Sequence, residues 1–441
     1  MSTRTDSEAD SRLVLGCIAD DLTGATDLGN ALARGGMRVA LRIGVPAAAD
    51  AAGEVDAVVI ALKSRTAPVV EAVAQARACA LWLRKQGARQ LYFKVCSTFD
   101  STPQGNIGPV AQALCEAWPV PAGAVVPVTP AFPATGRTVY QGHLFVGDVL
   151  LSDSPMRDHP LTPMTDADLR RLLAPQVAPA PVGMVPLSVV AQGAAAIGAR
   201  LAELGARGER YAVVDALDDA HLAALARAAR DAPLVVAASG LAAGLARAHG
   251  FDAFADGAAL PPARGAAAIV AGSCSAATRG QVAQFIAAGG SAYAIDPLDP
   301  LAAAPDDLAQ AALAWARPRL GEAPVLVYST AAAESVRAVQ DRLGVAAAGA
   351  RVEAVLSQVA RGLVEAGVKQ LVVAGGETSG ACLQTLGARQ LAIGPQVAPG
   401  VPWCHAPDLD LHLCLKSGNF GDPQFFMRAF EQLAGRSAGA R

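Results

Sequence analysis

Aromatic residues make up only 5 % of this 441-residue sequence and charged residues only 17 %, and the net charge is −3. So small a net charge excludes the basic footprint that a nucleic-acid partner demands, and leaves an anionic ligand to be met by local cations. With 52 % hydrophobic residues and few aromatics, the chain must build its cores from Ala, Val and Leu, with helices packed closely on sheets. No two of the eight cysteines (17, 79, 96, 115, 274, 382, 404 and 414) stand at C-x-x-C spacing, and no secretory signal is present. They read as reduced thiols filling cores, with no structural zinc. No glycine is followed by lysine, which excludes a Walker A loop, and no G-x-G-x-x-G supports a dinucleotide enzyme. An uninterrupted apolar span is missing too. Residues 172–199 carry no formal charge, yet Pro175, Pro179, Pro181 and Pro186 break them into a connector, a short strand and a helix start. The expectation is a soluble, cytoplasmic protein with no membrane partner, preceded by a polar, disordered tail over 1–12.

What is present is alternation. Short apolar runs at 13–19, 55–62, 90–95 and 122–128 are separated by helical stretches at 23–34, 69–85 and 106–118. Buried runs of this length between helices predict a parallel sheet covered on both faces. Residues 127–168 interrupt the pattern with Pro, Gly, Thr and Asp, and read as one long functional loop containing Arg137, His143, Arg157 and His159. Alternation resumes at 182–237, and a linker composition over 251–265 separates a second α/β unit. The expected class is α/β, with two domains at 13–250 and 266–441. Each is a largely parallel sheet covered by helices, and an active-site cleft lies between them.

Three sets of residues could carry chemistry. Asp20, Asp21, Thr23, Gly24 and Asp27 follow the first strand, at the sheet edge where open α/β proteins bind ligands. Paired carboxylates there could hold a polyol or act as a base toward a hydroxyl, whereas helix capping alone would account for one acid. Lys94 leaves a strand into Cys96-Ser97-Thr98-Phe99-Asp100-Ser101, where a cation and hydroxyls could meet a sugar acid; a polar turn explains the hydroxyls but not the buried lysine. Lys63-Ser64-Arg65 repeats the theme. In the second half, Gly272-Ser273-Cys274-Ser275 and Gly375-Gly376-Glu377-Thr378 are strand-to-helix turns of the kind that present N–H groups to phosphate. Together with Lys416-Ser417-Gly418-Asn419-Phe420-Gly421 they suggest a nucleotide pocket. His221, His249, His405 and His412 read as isolated surface or packing residues, and His143 and His159 as the better candidates.

The stretches IADDLTGATD (18–27), ALKSRT (61–66), YFKVCSTFDSTPQGNIGPV (92–110), PAFPATGRTVYQGHLFV (130–146) and DSPMRDHPLTPM (153–164) resemble the four-carbon acid sugar kinase family. So do GSCSAATRGQV (272–282), VVAGGETSGA (372–381) and LKSGNFG (415–421). The likeness runs through nearly the whole chain and is strongest to the 3-oxo-tetronate kinase branch. Leu22 is one departure, where relatives often carry Phe. The resemblance implies an ATP-dependent kinase acting on the terminal 4-hydroxyl of 3-oxo-tetronate, with threonate or erythronate as the alternative substrates. A sugar-acid binding or sensing protein without turnover is the rival of another class. It implies ATP with Mg2+, and a sugar-acid-binding first domain before a nucleotide-binding second one. Carried over by motif, Asp21 and then Asp20 would act on the hydroxyl. Arg65, Lys94, Ser97, Asp100, Arg157 and His159 would line the sugar acid, and Ser275, Gly375, Gly376, Glu377, Thr378 and Gly418 the nucleotide. A homodimer is the one assembly such a chain suggests.

Overall fold

Aliphatic runs of four to seven residues become strands here because both faces of each are covered. The computed structural model describes residues 13–159, 162–251, 260–298, 304–321, 323–330 and 333–439. The expected tail and residues 252–259 of the expected linker lie outside them. In chain order the strands are β1 (Leu15–Ala19), β2 (Val39–Ile43), β3 (Ala57–Ala61), β4 (Gln90–Lys94), β5 (Val126–Thr129), β6 (Arg137–Tyr140), β7 (His143–Val146), β8 (Val149–Leu150) and β9 (Val182–Val185). They continue with β10 (Tyr211–Val214), β11 (Leu234–Ala237), β12 (Ala266–Ala271), β13 (Ser291–Ala294), β14 (Val325–Tyr328), β15 (Val368–Ala374), β16 (Gln390–Ala398), β17 (Val401–Ala406) and β18 (Leu411–Lys416). Contacts divide the chain into two compact units, one from Met1–Asp20 with Ala31–Phe254, the other from Asp21–Asn30 with Ala255–Arg441.

In the first unit the strands run β2-β3-β1-β4-β11-β5-β10-β9, each parallel to its neighbours. The register places Ala19 beside both Ala61 and Lys94, and Lys94 beside Ala237. Four strands therefore release their following loops at one edge. The helix Val69–Lys85 buries Ala72, Ala76, Cys79, Ala80 and Leu83, the small and aliphatic face that the composition called for.

Residues 127–168 are not a structureless loop. They hold a three-stranded antiparallel sheet, β6-β7-β8, and short 3-10 turns. Its first hairpin turns through Gln141 (φ 52) and Gly142 (φ 74), two residues in the left-handed region as a tight hairpin requires. The reading of 172–199 also needs correcting at its start. Leu169–Val177 is a helix, capped by the Asp168 side chain, and it tolerates Pro175 in its last turn. Among the described residues no single helix is long and apolar enough to cross a membrane.

The second unit orders its strands β13-β14-β12-β15-β18-β17-β16. The first five are parallel, while β17 runs antiparallel to both β18 and β16. The sheet is thus mixed, mostly parallel. Its core gathers Leu326 and Val372 around Trp403, Phe425 and Phe426. His405 and His412 are not isolated. They face each other across β17 and β18 with ring centroids 4.9 Å apart, and both are buried.

Candidate active site

In the first unit the loops that follow β1, β3 and β4 meet at the common strand edge. The Asp20 carbonyl accepts N–H bonds from Ser64 (3.0 Å) and Arg65 (3.1 Å), which ties the β3 loop to the end of β1. Asp20 is 4 % exposed. Its carboxylate receives Arg65 in a two-pronged contact, Nε to Oδ2 and Nη2 to Oδ1, both at 2.9 Å. Arg65 Nη1 also reaches Asp100 Oδ2 at 3.5 Å. The Asn106 side chain holds the same loop by donating to the carbonyls of Ser64 (2.7 Å) and Ala67 (2.9 Å). A small pocket forms there, lined by Asp20, Ser64, Arg65, Asp100, Ser101 and Asn106 over an apolar floor of Phe93, Ile107 and Val110.

Lys94 closes β4 and is only 3 % exposed, and among the described residues it has no ion pair. The loop beyond it turns sharply, with the Phe99 N–H on the Cys96 carbonyl at 3.0 Å and Phe99 itself at φ 60. A buried phenylalanine in the left-handed region costs about 1–3 kcal/mol, strain of the kind that collects where a loop must aim its side chains. Thr98 Oγ1 donates to Asp100 Oδ1 at 2.7 Å. Burial pushes the Cys96 thiol up to about 12, with the Asp100 charge adding to the effect, so it stays a thiol.

Arg137 was noted in the sequence but not assigned a role. Burial lowers its pKa, the Asp100 carboxylate opposes that shift, and its Nε is buried without a hydrogen-bond partner. The signal available was an arginine at the head of a short β-run, Arg137–Tyr140, in an otherwise polar stretch. Arg157 and His159 sit on the 3-10 turn Pro155–Asp158 and at its end, and their bonds are local. Arg157 reaches the Ser152 carbonyl at 3.4 Å. The Thr162 N–H donates to His159 Nδ1 at 3.1 Å, which assigns the proton of a neutral ring to Nε2. Ser97 is half-buried in the β4 loop.

The second unit brings three turns together. They follow β12, β15 and β18, adjacent parallel strands, and each turn is tied to the next. Gly272 and Ser273 donate to the Ala374 carbonyl (3.0 and 3.1 Å), and the Gly375 N–H donates to the Lys416 carbonyl (2.8 Å). Gly375 has φ 133, and a Cβ there would lie 2.8 Å from Thr378 Oγ1 and 3.2 Å from the Ser273 nitrogen. A Cβ at Gly418 would lie 2.4 Å from Ser273 Oγ. Gly375 needs glycine for its φ and for the approach of the Ser273 backbone, whereas at Gly418 a methyl group would press on the Ser273 hydroxyl. Ser275 caps the helix Ala276–Ala287, its Oγ accepting the Thr278 N–H at 3.2 Å, and the helix Gly376–Leu386 starts beside it. Two helix N-termini and glycine turns at one sheet edge make a setting for phosphate.

Asp21 belongs to this second unit. It accepts the Gly24 N–H at Oδ1 (3.1 Å) and the Thr23 hydroxyl at Oδ2 (2.7 Å), so it does cap the helix Leu22–Arg34. Thr23 Oγ1 would lie 3.8 Å from a Cβ at Gly376, which puts the acid loop beside the β15 turn. Asn30, further along the same helix, bonds Gln396 at 2.6 Å.

Two protein-family models match the chain: a sugar-binding N-terminal domain over residues 15–245 and a nucleotide-binding C-terminal domain over 268–426. A 3-oxo-tetronate kinase of Burkholderia multivorans is 51 % identical over 430 residues, 96 % of this chain and 98 % of that one. One from Pseudomonas fluorescens is 50 % identical, covering 97 % and 99 %. Among solved structures, a Salmonella typhimurium LT2 protein, provisionally described as a tRNA synthase, is 43 % identical with a TM-score of 0.85, covering 95 % of this chain and 99 % of that one. A Haemophilus influenzae protein is 40 % identical with a TM-score of 0.74, covering 95 % and 100 %. With both domain models matched in order and half the residues shared over nearly the full length, the chain belongs to the four-carbon acid sugar kinase family.

Proposed function

We propose that the protein transfers the γ-phosphoryl group of ATP to the terminal 4-hydroxyl of 3-oxo-tetronate, giving 3-oxo-tetronate 4-phosphate and ADP. One observation carries this reading: identity of about half the residues with 3-oxo-tetronate kinases, spanning both the sugar-binding and the nucleotide-binding domain. The pocket chemistry supports it. Among the described residues Lys94 has no ion pair and Arg137 Nε no hydrogen-bond partner, so these two cations are available to a substrate carboxylate, while Arg65 is oriented by Asp20 and Asp100. Ser97 and Asp100 would bond hydroxyls, and Arg157 and His159 would complete the sugar-acid side from the neighbouring turn.

Asp21 would orient the 4-hydroxyl and take its proton. The Thr23 hydroxyl and the Gly24 N–H hold its carboxylate at the start of the helix Leu22–Arg34. Asp20, held by Arg65, would then position rather than deprotonate. Ser275, the Gly375-Gly376-Glu377-Thr378 turn and Gly418 would hold the phosphates. Mg2+ takes hard oxygen donors, and Glu377 and the Ser273 and Ser275 hydroxyls at the turns fit that demand beside the phosphates. The ion would neutralise charge on the transferred group. In-line transfer is mostly positioning and charge neutralisation, and it requires the two units to present their ligands to one another in a cleft closed to water. Use of ATP as the phosphoryl donor fits a cytoplasmic enzyme.

The test is ADP release with Mg-ATP against 3-oxo-tetronate, D- and L-threonate and D-erythronate. Turnover should be strong on the keto acid. Asp21→Asn should lower kcat by about 10²–10⁴-fold with nucleotide affinity kept. Turnover confined to a hydroxy acid would discard the substrate, and silence on all four would discard the kinase.

A further inference from the structure

The loop after β18 is gripped by its carbonyls. Lys416, the last residue of β18, is 0 % exposed. Its Nζ donates to Thr278 Oγ1 (3.0 Å) and to the carbonyls of Ser417 and Gly418 (both 2.9 Å), which uses all three N–H bonds of an ammonium. The Gly418 carbonyl also accepts the hydroxyls of Ser275 (2.6 Å) and Thr278 (2.9 Å). Further along the same loop, the Gln281 side-chain nitrogen donates to the carbonyls of Phe420 (3.0 Å), Gly421 (3.0 Å) and Asp422 (3.1 Å). Among the described residues no carboxylate pairs with Lys416, so the buried charge is met by one hydroxyl and two carbonyl dipoles.

This arrangement fixes the direction of the loop's donors. In a planar trans peptide the C=O of one residue and the N–H of the next point opposite ways. Carbonyls of Ser417 and Gly418 drawn inward toward Lys416 turn the N–H groups of Gly418 and Asn419 outward. Gln281 does the same for the N–H groups of Gly421 and Asp422. Successive N–H groups facing one side form an anion-binding concavity. Gly418 is the residue that lies against Ser273, in the turn after β12.

We propose that Lys416 is a positioning residue for the nucleotide: its ammonium holds the Ser417–Gly418 carbonyls inward so that the opposite N–H groups face phosphate. It touches the loop and not the nucleotide. The inference rests on the second unit being the ATP site, as read above. It also explains why an ammonium stands where an apolar side chain would pack more cheaply, since no apolar group can turn two carbonyls at once.

The test compares ADP binding by calorimetry, and steady-state kinetics, for wild type, Lys416→Met, Lys416→Arg and Thr278→Val. Lys416→Met should weaken ADP about 10- to 100-fold and raise KM for ATP alike, with KM for the sugar acid within about twofold of wild type. Thr278→Val keeps the ammonium but removes one of its acceptors and one loop donor. It should lose about three- to tenfold in ADP affinity, and it serves if the methionine variant fails to fold. Arg should restore part of the loss, because its N–H groups still reach carbonyls. Wild-type ADP affinity in both Lys416→Met and Thr278→Val overturns the inference, as does an equal loss of affinity for both substrates in Thr278→Val. Absence of ADP binding by the wild type overturns the nucleotide reading itself.

Discussion

Asp20→Asn is a clean cut through the first unit's site. The substitution keeps the side-chain volume and the main-chain carbonyl that holds Ser64 and Arg65, and removes only the charge that receives the guanidinium. Two charge-assisted bonds of 2.9 Å are affected. Breaking a fully buried ion pair costs about 3–5 kcal/mol. Here the Asp20 side chain is 6 % exposed but that of Arg65 is 22 % exposed, and Asp100 at 3.5 Å can take part of the charge. Solvent and the second acid reduce the expected cost to about 2–3 kcal/mol. Two compact units make a single unfolding free energy ill-defined, so hydrogen exchange of peptides covering β1 and β4 is the better assay, reporting the first unit alone. Protection there should fall by about 30- to 150-fold, and Arg65→Met together with Asp20→Asn should cost less than the two changes summed. KM for the sugar acid should rise, because a guanidinium freed from Asp20 swings toward Asp100. Unchanged protection and unchanged KM would refute the view that this pair frames the pocket.

Gly375→Ala should destabilise the β15 turn by about 1–3 kcal/mol and weaken ADP, since φ 133 and the 2.8 Å approach to Thr378 Oγ1 leave no room for a methyl group; circular-dichroism melting and calorimetry report the two effects. Burial lowers Lys416 from 10.5 to about 7. A lysine depressed in the folded state gives up stability as pH falls from its unfolded value toward its folded one, and the loss is complete below about 7. The melting temperature of wild type relative to Lys416→Met should therefore be higher at pH 9.5 than at pH 7, and flat below pH 7. A difference that does not vary between pH 7 and 9.5 would contradict the depressed value.

Much of the alternating architecture could be read from the chain because each β-run is bounded by a residue with a reason to stop it. Asp20 ends β1, Lys63 follows β3, Lys94 closes β4, and Gly272 and Gly375 follow β12 and β15. Strands covered on both faces leave a continuous apolar signal, and the edge where they end leaves a polar one. The signal failed where strands are short or their partners distant. β6 and β7 are four residues each, and their clue was the Gln141-Gly142 pair rather than any run. β16 and β17 mix Gln, His and Pro with apolar residues, so neither periodicity nor an apolar run marks them, and β18 shows only a short alternation of leucines with His412, Cys414 and Lys416. Of the candidate site residues, Asp20, Arg65 and Asp100 form one bonded group and Ser275 with Gly418 another, whereas Arg157 and His159 bond locally. That Arg65 would be oriented by Asp20, across 45 residues, was beyond any local reading, because only the parallel register of β1 and β3 sets their ends side by side. Lys416 is legible as part of the motif after β18, but its contact with Thr278, 138 residues away, is not.

The assignment of Asp21–Asn30 to the second unit bears on how the chain is made. These ten residues leave the ribosome long before Gln396, to which Asn30 bonds and which emerges 366 residues later. Closing a flexible loop of that length costs about 5 kcal/mol of chain entropy, against about 2 for a ten-residue loop. Folding of Ala31–Phe254 in the meantime would shorten the effective loop, because its own strands leave and return within that unit. The helix Leu22–Arg34 must then wait, tethered at one end to β1 and at the other to Gly35 and β2, until Gln396 and its neighbours have emerged. The order of translation thus makes the second unit the last to close, with the first unit serving as the scaffold that keeps an early segment in reach of a late one.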